Sequence, residues 1–199
     1  MEKKVAGKLH IPVFGLKGRA PVNILGDAAY ALGTDAAELA VGLARGGADA
    51  LMLDDLSTDP QEYADTVAVL GEVCKACPAP VYIGGSAKRM SVVADYMGAG
   101  AAAVFFDARH DNEIACVKET AETYGGGKTY VYLADVSFLA RIPGYLELGA
   151  TQFVLKCFHP SAEDLAAISA APHPLIVMGK DPTVLEQGNV AGFAGEAKL

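Results

Sequence analysis

The residues of this sequence that could do chemistry stand, for the most part, directly after short apolar runs. Asp54-Asp55, Asp107, Asp135 and Lys156 each close such a run. Ser86, Lys88, Arg89, Arg109, His110, His159 and Lys180 follow others within a few positions, and Lys17 and Arg19 follow the first. Together they form a polar set with both signs of charge, suited to proton transfer and to holding an anion. Asp135 is the strongest functional candidate; its alternative is a solvated carboxylate or one paired with a nearby lysine. Asp54 reads more readily as a support residue that caps a loop or holds Lys17. Lys88 and Arg89 fall where a helix begins, a place mildly unfavourable to cations, so they face either an anion or solvent.

Metal and redox chemistry find little footing. His10, His110, His159 and His173 are scattered without ligand spacing, and no metal site is expected. Cys74-Lys75-Ala76-Cys77 has the spacing of a redox or zinc motif. No second such pair follows, and Cys74 falls in phase with Tyr63, Val67 and Leu70 on one helix face. A buried thiol and a helix-end residue are therefore expected. No Gly-x-Gly-x-x-Gly loop opens the first helix, which counts against a dinucleotide fold. No cofactor is expected.

The elements that must position this set are strands and helices in alternation. Eight apolar, β-branched-rich runs recur: His10–Leu16, Ala48–Leu53, Val81–Gly84, Ala101–Phe106, Thr129–Ala134, Thr151–Lys156, Leu175–Met178 and Val190–Phe193. Each is continuous and not alternating, as in strands buried on both faces of a parallel sheet. Helical patterns fill the gaps and carry start and stop signals. Asp35, Asp59-Pro60, Ser161 with Asp164, and Asp181-Pro182 open the first, second, sixth and a short seventh helix. Pro143-Gly144 blunts the fifth. Gly47-Ala48, Gly100-Ala101 and Gly149-Ala150 each lead into an even-numbered run, a weak two-strand repeat. Eight βα units in unbroken alternation predict a (β/α)8 barrel, a TIM barrel, as one domain over residues 1–199. The chain is short for that class, so its βα loops should be short. With Leu199 just past the eighth strand, no eighth helix is expected. The flank left open should be apolar, covered by an oligomer partner or by the continuation of a longer protein.

The chain has 199 residues, of which 52% are hydrophobic and 20% charged, enough apolar material for a buried core. Its formal net charge of −8 argues against a general nucleic-acid or membrane-surface binder. Every apolar run is too short to span a membrane. The start, Met1-Glu2-Lys3-Lys4, is unlike a signal sequence, so a soluble cytoplasmic protein is expected.

Several stretches carry a resemblance. They are Gly33-Thr-Asp-Ala-Ala-Glu-Leu-Ala40, Gly47-Ala-Asp-Ala-Leu-Met-Leu-Asp54, Pro80-Val-Tyr-Ile-Gly-Gly85 and Met97-Gly-Ala-Gly-Ala-Ala-Ala-Val-Phe-Phe106. Together they resemble the ribotide-handling barrels of histidine biosynthesis: the phosphoribosyl-formimino isomerase and the cyclase subunit of imidazole glycerol phosphate synthase (HisA/HisF type). Ile11–Lys17, Tyr130–Asp135 and Leu148–Lys156 are similar to that family's first, fifth and sixth strands. The resemblance implies two carboxylates facing each other across the barrel mouth, from the first and fifth strands, as general acid and base. It also implies two phosphate grips built from backbone N–H groups of glycine turns and helix starts.

On these positions Asp135 matches the fifth-strand acid, and Asp54 matches a second-strand aspartate. Gly84-Gly85-Ser86 and Gly179-Lys180 match the two phosphate turns. The departures are specific. Gly15 stands where the first-strand aspartate belongs, and glycine cannot move a proton. Asp107 stands where the family has an asparagine on phosphate, and a carboxylate there would repel the ligand unless protonated or paired. Pro182 removes an N–H behind the second turn.

The expectation is a histidine-biosynthesis barrel domain with weak or absent catalysis. It would bind a phosphorylated small molecule and serve as a scaffold, either as a homo-oligomer or beside a fused or associated domain of the same pathway. An active ribotide isomerase or cyclase using Asp135 is the alternative. A third reading starts from Lys156. A lysine ending the sixth strand resembles the Schiff-base lysine of class I aldolases, with Lys180 to depress its pKa and Asp135 to shuttle protons.

Overall fold

The computed structural model describes residues 7–25, 30–32 and 35–198. The expectations drawn from Met1–Lys4, Gly33-Thr34 and Leu199 lie outside these residues. Among those described, the strands are β1 (Leu9–Lys17), β2 (Ala20–Asn23), β3 (Tyr30–Ala31), β4 (Leu51–Asp55), β5 (Val81–Gly84), β6 (Ala103–Asp107), β7 (Thr129–Leu133), β8 (Gln152–Lys156), β9 (Leu175–Met178) and β10 (Val190–Glu196). The α-helices are α1 (Ala36–Arg45), α2 (Pro60–Ala76), α3 (Met90–Gly98), α4 (Asp111–Tyr124), α5 (Ile142–Glu147) and α6 (Ala162–Ser169). Strands β1 and β4 to β10 are parallel neighbours in chain order, and β10 pairs back onto β1. The fold is a closed (β/α)8 barrel with fewer helices than strands. After β9 a five-residue 3-10 turn, Pro182–Glu186, replaces the expected short helix.

Local chemistry explains these elements. Asp35 accepts hydrogen bonds from the Ala37 and Glu38 N–H groups, and Asp59 from those of Gln61 and Glu62. Ser161 and Asp164 form a reciprocal capping box. Gly47, Gly100 and Gly149 all have positive φ, so the two-strand repeat marks three left-handed returns from helix to strand. Cys77 caps the end of α2, and burial pushes the Cys74 thiol up to about 11. Neither thiol is poised to react at neutral pH.

The first βα connection is not short, contrary to expectation. β1 turns at Gly18, with φ of +55°, into β2, which runs antiparallel along its second half, and β3 pairs with β2. Pro21 sits in this ribbon, outside the barrel's own parallel ladder. The expected apolar flank beside the last strand is also not found among the described residues. Phe193 on β10 is buried with its ring over Gly195, and Leu9 and Leu146 are the large hydrophobics left exposed.

Two apolar layers result from the period-two alternation of the strands. Ile11, Val13, Met52, Phe105, Val154, Ile176 and Ala194 fill the barrel interior. Phe14, Leu53, Phe106, Val131, Phe153 and Val177 face the helices. Asp55, 3% exposed, shares the outward face of β4. It accepts from the Tyr96 hydroxyl at 2.5 Å and from the Ser57 N–H at 2.8 Å. Tyr96→Phe keeps the ring and strands one buried carboxylate oxygen. It should lower unfolding free energy by about 1–3 kcal/mol, measured by denaturant titration.

Candidate functional site

Asp54 differs from Asp55 only by one step along β4, yet that step turns it inward. It is in register with Gly15 on β1 and Gly84 on β5. Inward-facing strand ends and the loops beyond them enclose a cavity of about 260 Å³ at the barrel mouth. Its polar lining includes Asp54, Asp55, Asp107, Arg109, His110, Tyr132 and Lys156, and its apolar lining includes Ile24, Leu25, Leu56, Phe105, Phe158 and Met178.

Electrostatics within the cavity are uneven. Burial raises the Asp54 carboxyl, and the neighbouring charges of Asp55, Asp107 and Glu113 raise it further, to about 7. Asp107 is also pushed up by burial. Its hydrogen bonds with Arg109, including Nη2 at 2.5 Å, outweigh that and hold it below the ordinary carboxylate range. The sequence left open whether a carboxylate here would be paired, and it is, within its own loop. Burial, with Asp54 and Asp107 nearby, pushes the Tyr132 hydroxyl well up, so it stays protonated.

The loop that carries Asp107 is fixed from below by Glu113 of α4. Glu113 is fully buried. One of its oxygens accepts from the Asp107 N–H at 2.8 Å, and the other lies 3.1 Å from His110 Nδ1. The buried chain therefore sets the pose of a histidine on the cavity wall.

The residues singled out from sequence separate into groups. Asp54 and Lys156 line the cavity together, as does Gly85. Lys156 stands over Phe158 at 4.9 Å from the ring centre, and Lys180 approaches the same ring at 5.9 Å. Lys156 makes no ion pair with Asp135 among the described residues. Asp135 is exposed and caps the 3-10 turn that follows β7, accepting from the Ser137 N–H at 2.8 Å. It is absent from the cavity wall: β7 ends at Leu133, and Asp135 lies beyond it, where it opens the 3-10 turn.

Gly84 is buried against the Phe105 ring. Gly85 has φ of +96°, and an added Cβ would strike Asp54 and the Asp55 backbone. Ser86 lines a separate depression with Tyr63, Lys88, Arg89 and Val92, between α2 and α3. Gly179 fits against the Cys157 carbonyl. Arg19 is taken up by Glu72 at 2.8 Å on the outside.

At Gly15 an added Cβ would lie 2.6 Å from Leu56, 2.8 Å from Ile24 and 3.0 Å from Val22. The place of a first-strand carboxylate is thus walled by apolar side chains. Sequence reasoning missed Tyr132, Phe158 and the Glu113–His110 contact. The three-residue spacing of His110 and Glu113 at a helix start was the available signal.

Comparison with known families gives one match: a family model described as "histidine biosynthesis protein" covers residues 11–139. A search of curated proteins finds no match.

The raised Asp54 carboxyl predicts a pH effect. Between pH 4 and 7 the unfolded chain gives up this proton while the folded chain keeps it, so stability falls across that window. Above pH 7 the loss is complete. Asp54→Asn should therefore change stability little at pH 4 and raise it at pH 8, by up to about 4 kcal/mol. Denaturant midpoints at the two pH values measure this.

Proposed function

The chain belongs to the histidine biosynthesis protein family, and on that footing we propose that its barrel mouth binds a small phosphorylated ligand without running the family's two-carboxylate reaction. The observation that carries this reading is the wall at Gly15. Leu56, Ile24 and Val22 take the space that a first-strand acid would need. Asp135, the fifth-strand candidate, caps an exposed turn instead of lining the cavity. A general acid or base contributes about a hundredfold to ten-thousandfold, so losing both from the cavity removes useful turnover by that route.

Ligand binding is supported by what remains. Lys156 lines the cavity and stands over Phe158, while Arg109 compensates Asp107. Lys156 is the cation suited to a single phosphate. At about 260 Å³ the cavity is just below the common range of ligand pockets, roughly 300–1,000 Å³, and matches one phosphosugar better than a two-ended ribotide.

A second reading rests on Lys156, which lines the same cavity as Asp54 from a strand on the opposite side of the barrel. An amine there could form an imine with an aldehyde, releasing water.

Two measurements test these readings. Calorimetric titration with ribose 5-phosphate should show binding that weakens at least tenfold in Lys156→Met. The family isomerase's ribotide should show no turnover by absorbance; turnover lost in Asp135→Asn would overturn the proposal. For the second reading, borohydride reduction with a small aldehyde should leave a stable adduct on Lys156, detected by peptide mass. An unmodified Lys156 would exclude it.

A further inference from the structure

The Glu113–His110 contact supplies what Gly15 removes. Glu113 is fully buried, and both of its oxygens are engaged, one by the Asp107 N–H and one by His110 Nδ1. A carboxylate at that position fixes the ring and favours the tautomer with the proton on Nδ1. The other nitrogen, Nε2, is then a lone-pair acceptor on a residue that lines the cavity. Asp54, from β4, lines the same cavity. The groups around His110 are Asp107, Arg109, Asp111 and Glu113 on its own segment, Asp54 from β4 and Lys156 from β8. An imidazole from the loop after β6 and the Asp54 carboxyl from β4 thus line a single small volume, where Asp107 is paired with Arg109 and Lys156 supplies a cation.

We infer that His110, positioned by Glu113, and Asp54 form a proton-transfer pair acting on a small phosphorylated hydroxy-ketone or hydroxy-aldehyde. This rests on the reading of the mouth as a site for a small phosphorylated ligand. His110 Nε2 takes the proton from the carbon next to the carbonyl. The freed electron pair forms the carbon–carbon double bond, the carbonyl π pair moves onto oxygen, and that oxygen takes the proton of the Asp54 carboxyl. Reversal at the same carbon returns the starting compound; for the isomer, the hydroxyl on that carbon gives its proton to the Asp54 carboxylate, its O–H electron pair forms the new carbonyl, and the double-bond pair takes the proton of His110 Nε2 onto the former carbonyl carbon. Atoms and electrons balance without a further reactant. An Asp54 carboxyl that keeps its proton up to about pH 7 suits the acid role. Both groups touch the ligand and are catalytic residues; Glu113 acts through His110 and is a positioning residue.

The test is exchange of carbon-bound hydrogen for deuterium in D2O, followed by proton NMR on the full chain. Dihydroxyacetone phosphate and ribulose 5-phosphate are the probes. Broadening of each probe's phosphorus signal reports binding on the same samples. Wild type should exchange with at least one probe. His110→Ala should lose at least about a hundredfold of that rate and regain part of it with added imidazole. Asp54→Asn should lose a similar factor. Glu113→Gln should lose about tenfold and shift the pH profile of the rate. A purely structural role would leave that profile in place, and an unmoved profile would overturn the positioning role. Phosphorus broadening without exchange in wild type overturns the proton-transfer pair and leaves the binding reading standing. Exchange that survives in His110→Ala overturns the role of His110. No broadening with either probe overturns both readings.

Discussion

Leu9–Val13 of β1 lies in register with Gly192–Glu196 of β10, and this ladder turns an eight-strand sheet into a barrel. The pairing is tight: a Cβ at Gly192 would lie 2.7 Å from that of Leu9. Closure also fixes where β10 stops. Beyond Val13 the edge of β1 is free, and β2 occupies it from Gly15 to Lys17. Asn23 ties the two partners together by donating to Glu196 at 2.7 Å. The ribbon that follows sets Ile24 and Leu25 over the mouth. The register of closure thus determines the size of the cavity, and through it the chemistry the cavity can hold.

A second constraint is parity. One residue along a strand exchanges the interior for the helix layer. Asp54 and Asp55 are identical in type and adjacent in sequence. The first, facing the cavity, holds its proton unusually high. The second anchors α3 through Tyr96. The same rule separates Tyr132 from Leu133 on β7 and Lys156 from Leu155 on β8. Much of what distinguishes a reactive group from a structural one here is its step number.

The barrel itself was legible because its evidence is local and repeated. Continuous apolar runs, Asp35, Asp59 and Ser161 as caps, and glycines before alternate strands all point one way. The family was legible for the same reason. The hairpin was missed because chain length argued for short βα loops and the ribbon pairs outside the repeat. The site was only partly legible. Asp54 and Lys156 reach the cavity, whereas Asp135 was placed by likeness of motif and lies past the end of β7, capping an exposed turn. The Glu113–His110 contact could not be weighed from spacing alone, because its value comes from the complete burial of Glu113. The wall at Gly15 was invisible, since two of its three residues come from the unforeseen ribbon and the third from the loop after β4.

That wall also decides what the mouth offers a guest. A side chain at position 15 would meet Leu56, Ile24 and Val22, one from the loop after β4 and two from the ribbon. Ile24 and Leu56 also line the cavity, together with Leu25. The ribbon therefore gives the barrel an oily lip, and a guest must present a greasy edge there as well as a charged end elsewhere.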